Sequence, residues 1–284
     1  MTRTALVLGG GGVTGVAWTI GLLHGLCVAG TDLTTADVII GTSAGSVVGA
    51  QLAAGTHDLE ALYERQLAPP GDERPARLGA AVLFRYARAM LVSRTPEAYG
   101  QRIGRYALAA ATEPEAERRA VIASRILVDA WPERAFAVTA VDALTGELRV
   151  FDRESGVPVV DAVAASCAVP GVWPPVTIEG RKWIDGGMHS PANAQLAAGY
   201  DRVVVIAPVG SGSGVVAGPR SQAEALVAGG ARVEVMVPGA AAKRAIGRNV
   251  LDPGRRGVAA RAGLAQGVGV AGVVSAVWDA GWSR

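Results

Sequence analysis

Residues 37–49 read DVIIGTSAGSVVG, and the fold is decided by how this stretch is read. Val38, Ile39 and Ile40 form a short apolar, β-branched run that predicts a buried strand. Gly41-Thr42-Ser43-Ala44-Gly45 follows without a spacer, and Ser46, Val47, Val48, Ala50, Leu52 and Ala53 then recur at helical spacing. A strand, a tight Gly-x-Ser-x-Gly turn and a helix together make the context of a nucleophile elbow. A Ser at such a turn has a strained backbone, and side chains on its neighbours would crowd it. Gly41 and Gly45 remove those side chains, so strand and helix can approach and the Ser43 hydroxyl is lifted clear. The helix N-terminus there favours negative charge. In a Gly- and Ala-rich chain the pentapeptide also arises by chance; the flanking strand and helix give it chemical meaning.

Working upstream, residues 4–8 (TALVL) predict a first buried strand, residues 9–15 (GGGGVTG) a loop, and residues 16–29 an apolar helix closed by Gly30. Strand, loop, helix and strand form a βαβ crossover, which predicts a parallel sheet. The loop has two readings. Gly10, Gly12 and Gly15 match the dinucleotide fingerprint, but that fingerprint needs an acid at the end of the second strand. Here Asp32 and Asp37 precede that strand. In the other reading the amides of Gly10, Gly11 and Gly12 face the acyl oxygen of a substrate held at Ser43, each such donor contributing about 3–4 kcal/mol to the transition state. Neighbouring parallel strands would place both loops at one carboxyl edge of the sheet.

From residue 57 to about 130 the pattern changes to helices at 58–67, 77–91, 99–111 and 115–126, with a Pro- and charge-rich break at 69–75. The 77–91 segment reads as a basic amphipathic helix. Leu78, Val82, Leu83, Tyr86, Met90 and Leu91 are apolar, with Arg85 and Arg88 between them. It is expected to be a surface helix with a solvated Arg face, or else a lid or membrane-surface contact. The stretch reads as a helical insertion, because strands resume after it. Segments 134–142 and 148–152 predict a hairpin, 159–166 a short helix, and 167–175 a Pro-rich irregular loop. A second hairpin at 176–178 and 182–184 ends in Asp185-Gly186-Gly187. Asp-Gly is a common turn pair, but a nucleophile needs a base. His24 falls inside the first helix, and His189 is too close to Asp185 to be oriented by it, although it remains the rival base. Asp185 is the economical base for Ser43. Strands at 201–207 and 231–237, a loop at 210–218, a helix at 221–228 and a helical tail at 254–281 complete the chain. Arg261 interrupts the tail, and its apolar part, 268–278, is too short to cross a bilayer.

Composition bounds the alternatives. A chain of 284 residues, half of them hydrophobic, can bury a large core as a single α/β domain or as two small ones, and a net charge of +2 is too small to imply nucleic-acid binding. Cys27 and Cys167 lie in unrelated contexts, without metal or disulfide spacing, and both read as small buried hydrophobes. Residues 5–30 carry no charge, but four consecutive glycines split the run into a strand and a helix of globular length, unlike a signal peptide. A cytoplasmic protein, peripheral to a membrane at most, is the expectation.

With these motifs in view, the chain resembles the patatin-like phospholipase family. The match is close over residues 4–55 and good over 159–200, with GGGGVTG, GTSAG and DGG in the family's order and ASCAVPGVWPPV resembling the loop before its acid. The resemblance implies a three-layer α/β/α fold with a mainly parallel sheet; the chain reads as one domain whose helical insertion at about 57–130 carries no family-wide motif. It also implies hydrolysis of lipid carboxylic esters by a Ser–Asp dyad through an acyl-enzyme, with no cofactor or metal. The implied site is Ser43 as nucleophile and Asp185 as base, with Gly10, Gly11 and Gly12 as the oxyanion loop beside Gly15. Gly41, Gly45, Gly186 and Gly187 flank the two catalytic side chains. The family's loop carries Arg or Lys two residues after its fourth glycine, where this chain has Thr14. The readings kept beside this one are a catalytically silent lipid-binding relative and, on the Gly-rich loop alone, a dinucleotide-binding protein.

Overall fold

The computed structural model describes residues 2–70 and 75–279. Strand β1 (Thr4–Leu8) is followed by helix α1 (Gly12–Val28), strand β2 (Val38–Thr42) and helix α2 (Ala44–Ala54). Helices α3 (Leu59–Leu67), α4 (Ala80–Val92), α5 (Pro96–Ala109) and α6 (Glu115–Ile126) come next. The chain continues through β3 (Ala135–Asp142), β4 (Leu148–Phe151), α7 (Val159–Ser166), β5 (Val176–Ile178) and β6 (Arg181–Asp185). It closes with β7 (Arg202–Ile206), α8 (Pro219–Ala228), β8 (Arg232–Met236), α9 (Ala240–Ile246) and α10 (Arg256–Trp278).

The strands form one mixed sheet in the order β5-β6-β3-β2-β1-β7-β8, with β4 also paired to β3. β3, β2, β1, β7 and β8 run parallel, while β4, β5 and β6 are antiparallel to their neighbours. Alternation along the parallel strands sorts the core into two faces. Leu6, Leu8, Ile39, Val138, Val204 and Ile206 point to a layer containing α1, α2, α7 and α10. Ala5, Val7, Val38, Ile40, Val203 and Val205 point to the other layer, against residues 192–197 and Leu226 of α8. Farther along that side, Val141 and Ile184 pack on Tyr99, Ile103 and Ala107 of α5. The result is three layers, α/β/α. The helices of 57–130 are integral to it: Leu62 and Ile122 belong to the first face's core.

Several elements depart from the sequence expectations. α1 begins at Gly12 rather than at 16, because tertiary contacts support its first turn: the Thr14 amide and hydroxyl both donate to Val250 O. α4 begins at Ala80, and α5 at Pro96, where Thr95 caps the Ala98 amide and Pro96 occupies the first turn. α9 was not anticipated, since its Ala-rich sequence lacks a strong period. Cys27 is exposed on the last turn of α1 rather than buried; only Cys167 is buried. In the 69–75 break, residues 71–74 lie outside the described residues, as does the part of the predicted tail helix beyond 279.

The tail differs most. Residues 253–278 form a helical stretch long and apolar enough to cross a membrane by length and composition, although the 268–278 piece alone is too short. In this fold α10 lies directly against α1. A Cβ on Gly21 would fall 2.1 Å from Ala260 O, one on Gly263 2.2 Å from Trp18 O, and one on Gly267 2.3 Å from Leu22 O. Glycines on both helices thus let the two backbones touch, and Gln266 of α10 accepts the Trp18 indole N–H at 3.3 Å.

Candidate active site

β2 runs straight into the elbow. Ser43 has φ 51° and ψ −118°, a left-handed backbone that costs on the order of 1–3 kcal/mol for a non-glycine residue. Backbone hydrogen bonds hold it there. Its amide donates to Ser166 Oγ at 2.8 Å, and its carbonyl accepts the Ser46 amide at 2.8 Å and the Ser46 hydroxyl at 2.7 Å. The steric reason for the flanking glycines is plain in the packing. A Cβ on Gly41 would lie 2.5 Å from Ser46 Cα, and one on Gly45 would lie 1.9 Å from Leu8 O.

Asp185 arrives from the opposite direction. On β3, residues 138–141 pair with β4, so β2, opposite residues 135–139, and β6, opposite residues 140–142, share the other edge end to end. Thr42 stands opposite Thr139 and Asp185 opposite Ala140. The two strand ends therefore abut. The Ser43 hydroxyl donates to Asp185 Oδ2 at 2.7 Å, and the Gly187 amide donates to Asp185 Oδ1 at 2.7 Å. Burial raises the Asp185 carboxyl from its ordinary 3.8 to about 6, while the bonds from Ser43 and Gly187 and the positive charge of Arg118 oppose that rise. A Cβ on Gly186 would strike Thr139 Oγ1 at 2.4 Å, so only Gly lets the acid turn follow β3 this closely.

The glycine loop flanks the same point. A Cβ on Gly10 would lie 3.3 Å from Ser43 Cβ, so the loop backbone runs against Ser43. The Gly10 amide, expected to face the substrate, instead donates to Pro191 O at 2.8 Å. The amides of Gly11, Gly12 and Val13 open α1 and have no acceptor among the described residues. Gly12 and Val13 line the cleft above Ser43, and Gly15 lies behind them, a Cβ there meeting Pro208 at 3.2 Å. The cleft has a volume of about 940 Å³. Its walls include Val16, Val47, Val121, Ile122, Trp173 and Leu251, and Arg65, Arg118, Arg125 and Arg256 with Glu113 and Glu117 supply its polar lining. The Arg118 guanidinium stacks 3.8 Å from the Trp173 ring centre.

His189, the rival base, is turned elsewhere: its Nδ1 lies 2.9 Å from Asn193 Oδ1, an atom that can only accept. Asn193 itself is fully buried, and its side-chain amide donates to Thr42 Oγ1, Thr139 Oγ1, Gly186 O and Ser190 O at 3.0–3.3 Å. It binds the ends of β2 and β3 to the acid turn. Sequence reasoning missed Asn193, Ser166 and Arg118. Asn193 left one trace, a residue type that tolerates left-handed backbone (φ 54°) inside an otherwise irregular stretch. Ser166 and Arg118 left none, because each acts across long separations.

The sequence model of the patatin-like phospholipase family matches residues 6–198. The chain belongs to that family. Uncharacterised NTE family proteins of Mycobacterium tuberculosis and Mycobacterium bovis are 30% identical to it over 224 residues, which are 78% of this chain and 52% of theirs. The chain thus spans about half the length of these curated relatives. Among solved structures it is similar to VipD from Legionella pneumophila, with TM-score 0.46 and 13% identity over 96% of this chain and 67% of that one. It is also similar to the type III effector ExoU, with TM-score 0.40 and 18% identity over 95% of this chain and 53% of that one. In this patatin-like chain the basic loop position is taken by Thr14, which is fully buried under Val250. A long cationic side chain has no room there. β7, β8 and α8 to α10 follow the matched region, yet Val250 and Leu251 of that part close over the glycine loop: a Cβ on Gly12 would fall 2.6 Å from Val250 O.

Proposed function

We propose that the protein is a serine acyl hydrolase of lipid carboxylic esters (phospholipid, lysophospholipid or acylglycerol), working through a Ser43–Asp185 dyad. The observation that carries this reading is the 2.7 Å bond from the Ser43 hydroxyl, which lines a cleft walled by apolar side chains, to the buried Asp185 carboxylate. A carboxylate poised near pH 6 is a competent base at neutral pH.

Ser43 Oγ attacks the ester carbonyl carbon as its proton passes to Asp185 Oδ2. The carbonyl oxygen, now an anion, faces the amides of Gly11 and Gly12, and the α1 N-terminus adds its dipole. As the intermediate collapses, the ester C–O bond breaks and the departing alkoxide takes the proton from Asp185, leaving an acyl-Ser43. Water then attacks that ester, gives its proton to Asp185, and the fatty acid leaves as Ser43 regains the proton. The apolar walls suit an acyl chain, and the arginines lining the cleft suit a polar or anionic headgroup.

The test is labelling with a fluorophosphonate probe, wild type beside Ser43→Ala, read by intact mass, followed by turnover on a panel of acyl lipids. One probe-sized adduct that disappears in the variant, with fatty acid release that disappears with it, is the expected result. Retained hydrolysis in Ser43→Ala would refute the assignment. A folded wild type that neither labels nor turns over lipid would favour the silent lipid-binding reading.

A further inference from the structure

The face formed by α4 and α5 carries a second chemistry, outside the catalytic cleft. α4 turns Val82 and Ala89 inward but leaves Leu83, Phe84, Leu91 and Val92 at 52%, 70%, 86% and 54% exposure. Four large apolar side chains held in water on one helix are a costly arrangement unless something covers them. Beside this ridge, Arg85 and Arg88 of α4 and Arg102 and Arg105 of α5 line a groove of about 270 Å³, and none of the described residues lining it is acidic. The Arg85 guanidinium lies 4.9 Å from the Tyr106 ring centre, which orients it across the groove. Convergent guanidinium groups repel one another in the absence of an anion and suit phosphate oxygens.

We propose that the α4–α5 face docks on an anionic membrane surface. Arg85, Arg88, Arg102 and Arg105 take lipid phosphates, and Leu83, Phe84 and Leu91 enter the acyl boundary. A ridge of apolar side chains next to a basic groove is what an in-plane membrane helix requires, and the charge selects anionic over neutral lipid. The position fits the occupant. The Tyr86 hydroxyl donates to Pro170 O at 2.9 Å, and Val169 and Trp173 of that same loop line the catalytic cleft. Pro75 and Ala76, which lead into α4, also line it, and Asn249 Nδ2 holds Ala76 O at 3.0 Å. A bilayer seated on α4 and α5 therefore lies beside the cleft that an ester must enter. Docking needs no turnover, so it stands or falls separately from the proposed hydrolysis.

The experiment is vesicle co-sedimentation of the full chain carrying Ser43→Ala, which leaves the vesicles intact. Vesicles of phosphatidylcholine alone are compared with vesicles containing roughly one third phosphatidylglycerol, at low and high salt. The expected result is binding to the anionic vesicles only, weakened by salt. Replacing Arg85 and Arg88 together by Ala should cut it roughly thirtyfold, at about 1 kcal/mol per Arg near the surface. Arg85→Lys with Arg88→Lys should keep most of it, and Phe84→Ser with Leu91→Ser should reduce it. In the otherwise wild-type chain these substitutions should leave turnover of a short soluble ester unchanged. Equal binding to both kinds of vesicle, or undiminished binding by the double Ala variant, would overturn the proposal. So would failure to sediment with either kind while an acidic polypeptide such as polyglutamate binds the Arg groove.

Discussion

Ser43 and Asp185, 142 residues apart in the chain, meet at 2.7 Å because each follows or forms a strand end set against consecutive residues of β3. β2 ends at Thr42, opposite Thr139, and β6 ends at Asp185, opposite Ala140. The Ser43–Asp185 contact is thus set by strand register rather than by a flexible loop, and Asn193 ties the two ends together through Thr42 and Thr139.

Ser43→Ala should lower turnover by at least about 10⁴-fold while leaving the fold intact. Ala inherits the strained φ of 51°, whereas Gly adopts it freely. Ser43→Gly should therefore be equally inactive but more stable than Ser43→Ala by about 1 kcal/mol. Urea denaturation of the two variants side by side checks the ordering.

In the proposed mechanism, Asp185 should set the pH dependence of both activity and stability. Between 3.8 and about 6 the folded chain keeps a proton that the unfolded chain has lost. The stability this proton confers is complete below 3.8 and is lost as pH rises through about 6, a difference of about 3 kcal/mol. Hydrolysis runs the other way, falling as pH drops below about 6 and the base is protonated. Asp185→Asn should abolish turnover, unfold later than wild type in urea at pH 8, and lose that advantage near pH 4. A variant less stable than wild type at pH 8 would contradict the buried-charge account.

His189→Ala should retain turnover within about tenfold, because its ring is bonded to Asn193 and not to the nucleophile. A steady-state comparison with Asp185→Asn decides between the two bases. If His189→Ala proved the more damaging change, the dyad assignment would be wrong.

Ser166→Ala removes the acceptor of the Ser43 amide in a fully buried setting. The expected cost is about 1–3 kcal/mol, since that N–H is left without a partner. Slower fluorophosphonate labelling should accompany the lowered melting temperature, as the elbow loses one of its restraints.

Two glycine substitutions should act in opposite directions. Gly45→Ala drives a Cβ to 1.9 Å from Leu8 O and should destabilise the chain severely or prevent soluble expression. Gly269→Ala, on a part of α10 where a Cβ meets nothing within 4 Å, should stabilise by about 0.5–1 kcal/mol. Melting temperatures of both variants against wild type test the contrast.

Much of the architecture was legible because it is written in local patterns. The strands at 4–8, 38–42, 202–206 and 232–236 are short β-branched runs, α6 and α7 begin and end where their periodicity does, and Gly-x-Ser-x-Gly and Asp-Gly-Gly mark sharp turns by sterics alone. Such signals need only a residue and its near neighbours. The sequence by itself determined the strand–elbow–helix unit, the parallel βαβ start and the pairing of a serine with an acid.

What depends on contacts between distant segments was decided only by tertiary structure. The Gly10 amide is satisfied by Pro191, 181 residues away, so it is not left free to face a substrate at Ser43. α1 starts early because Val250 accepts Thr14, and the apolar tail packs along α1 because glycines on α1 and α10 let two backbones meet. Leu83, Phe84 and Leu91 face solvent because only one side of α4 finds a partner. A hydrogen-bond acceptor, or the absence of a covering surface, is a property of where segments land in space, and no local pattern of residue types encodes it.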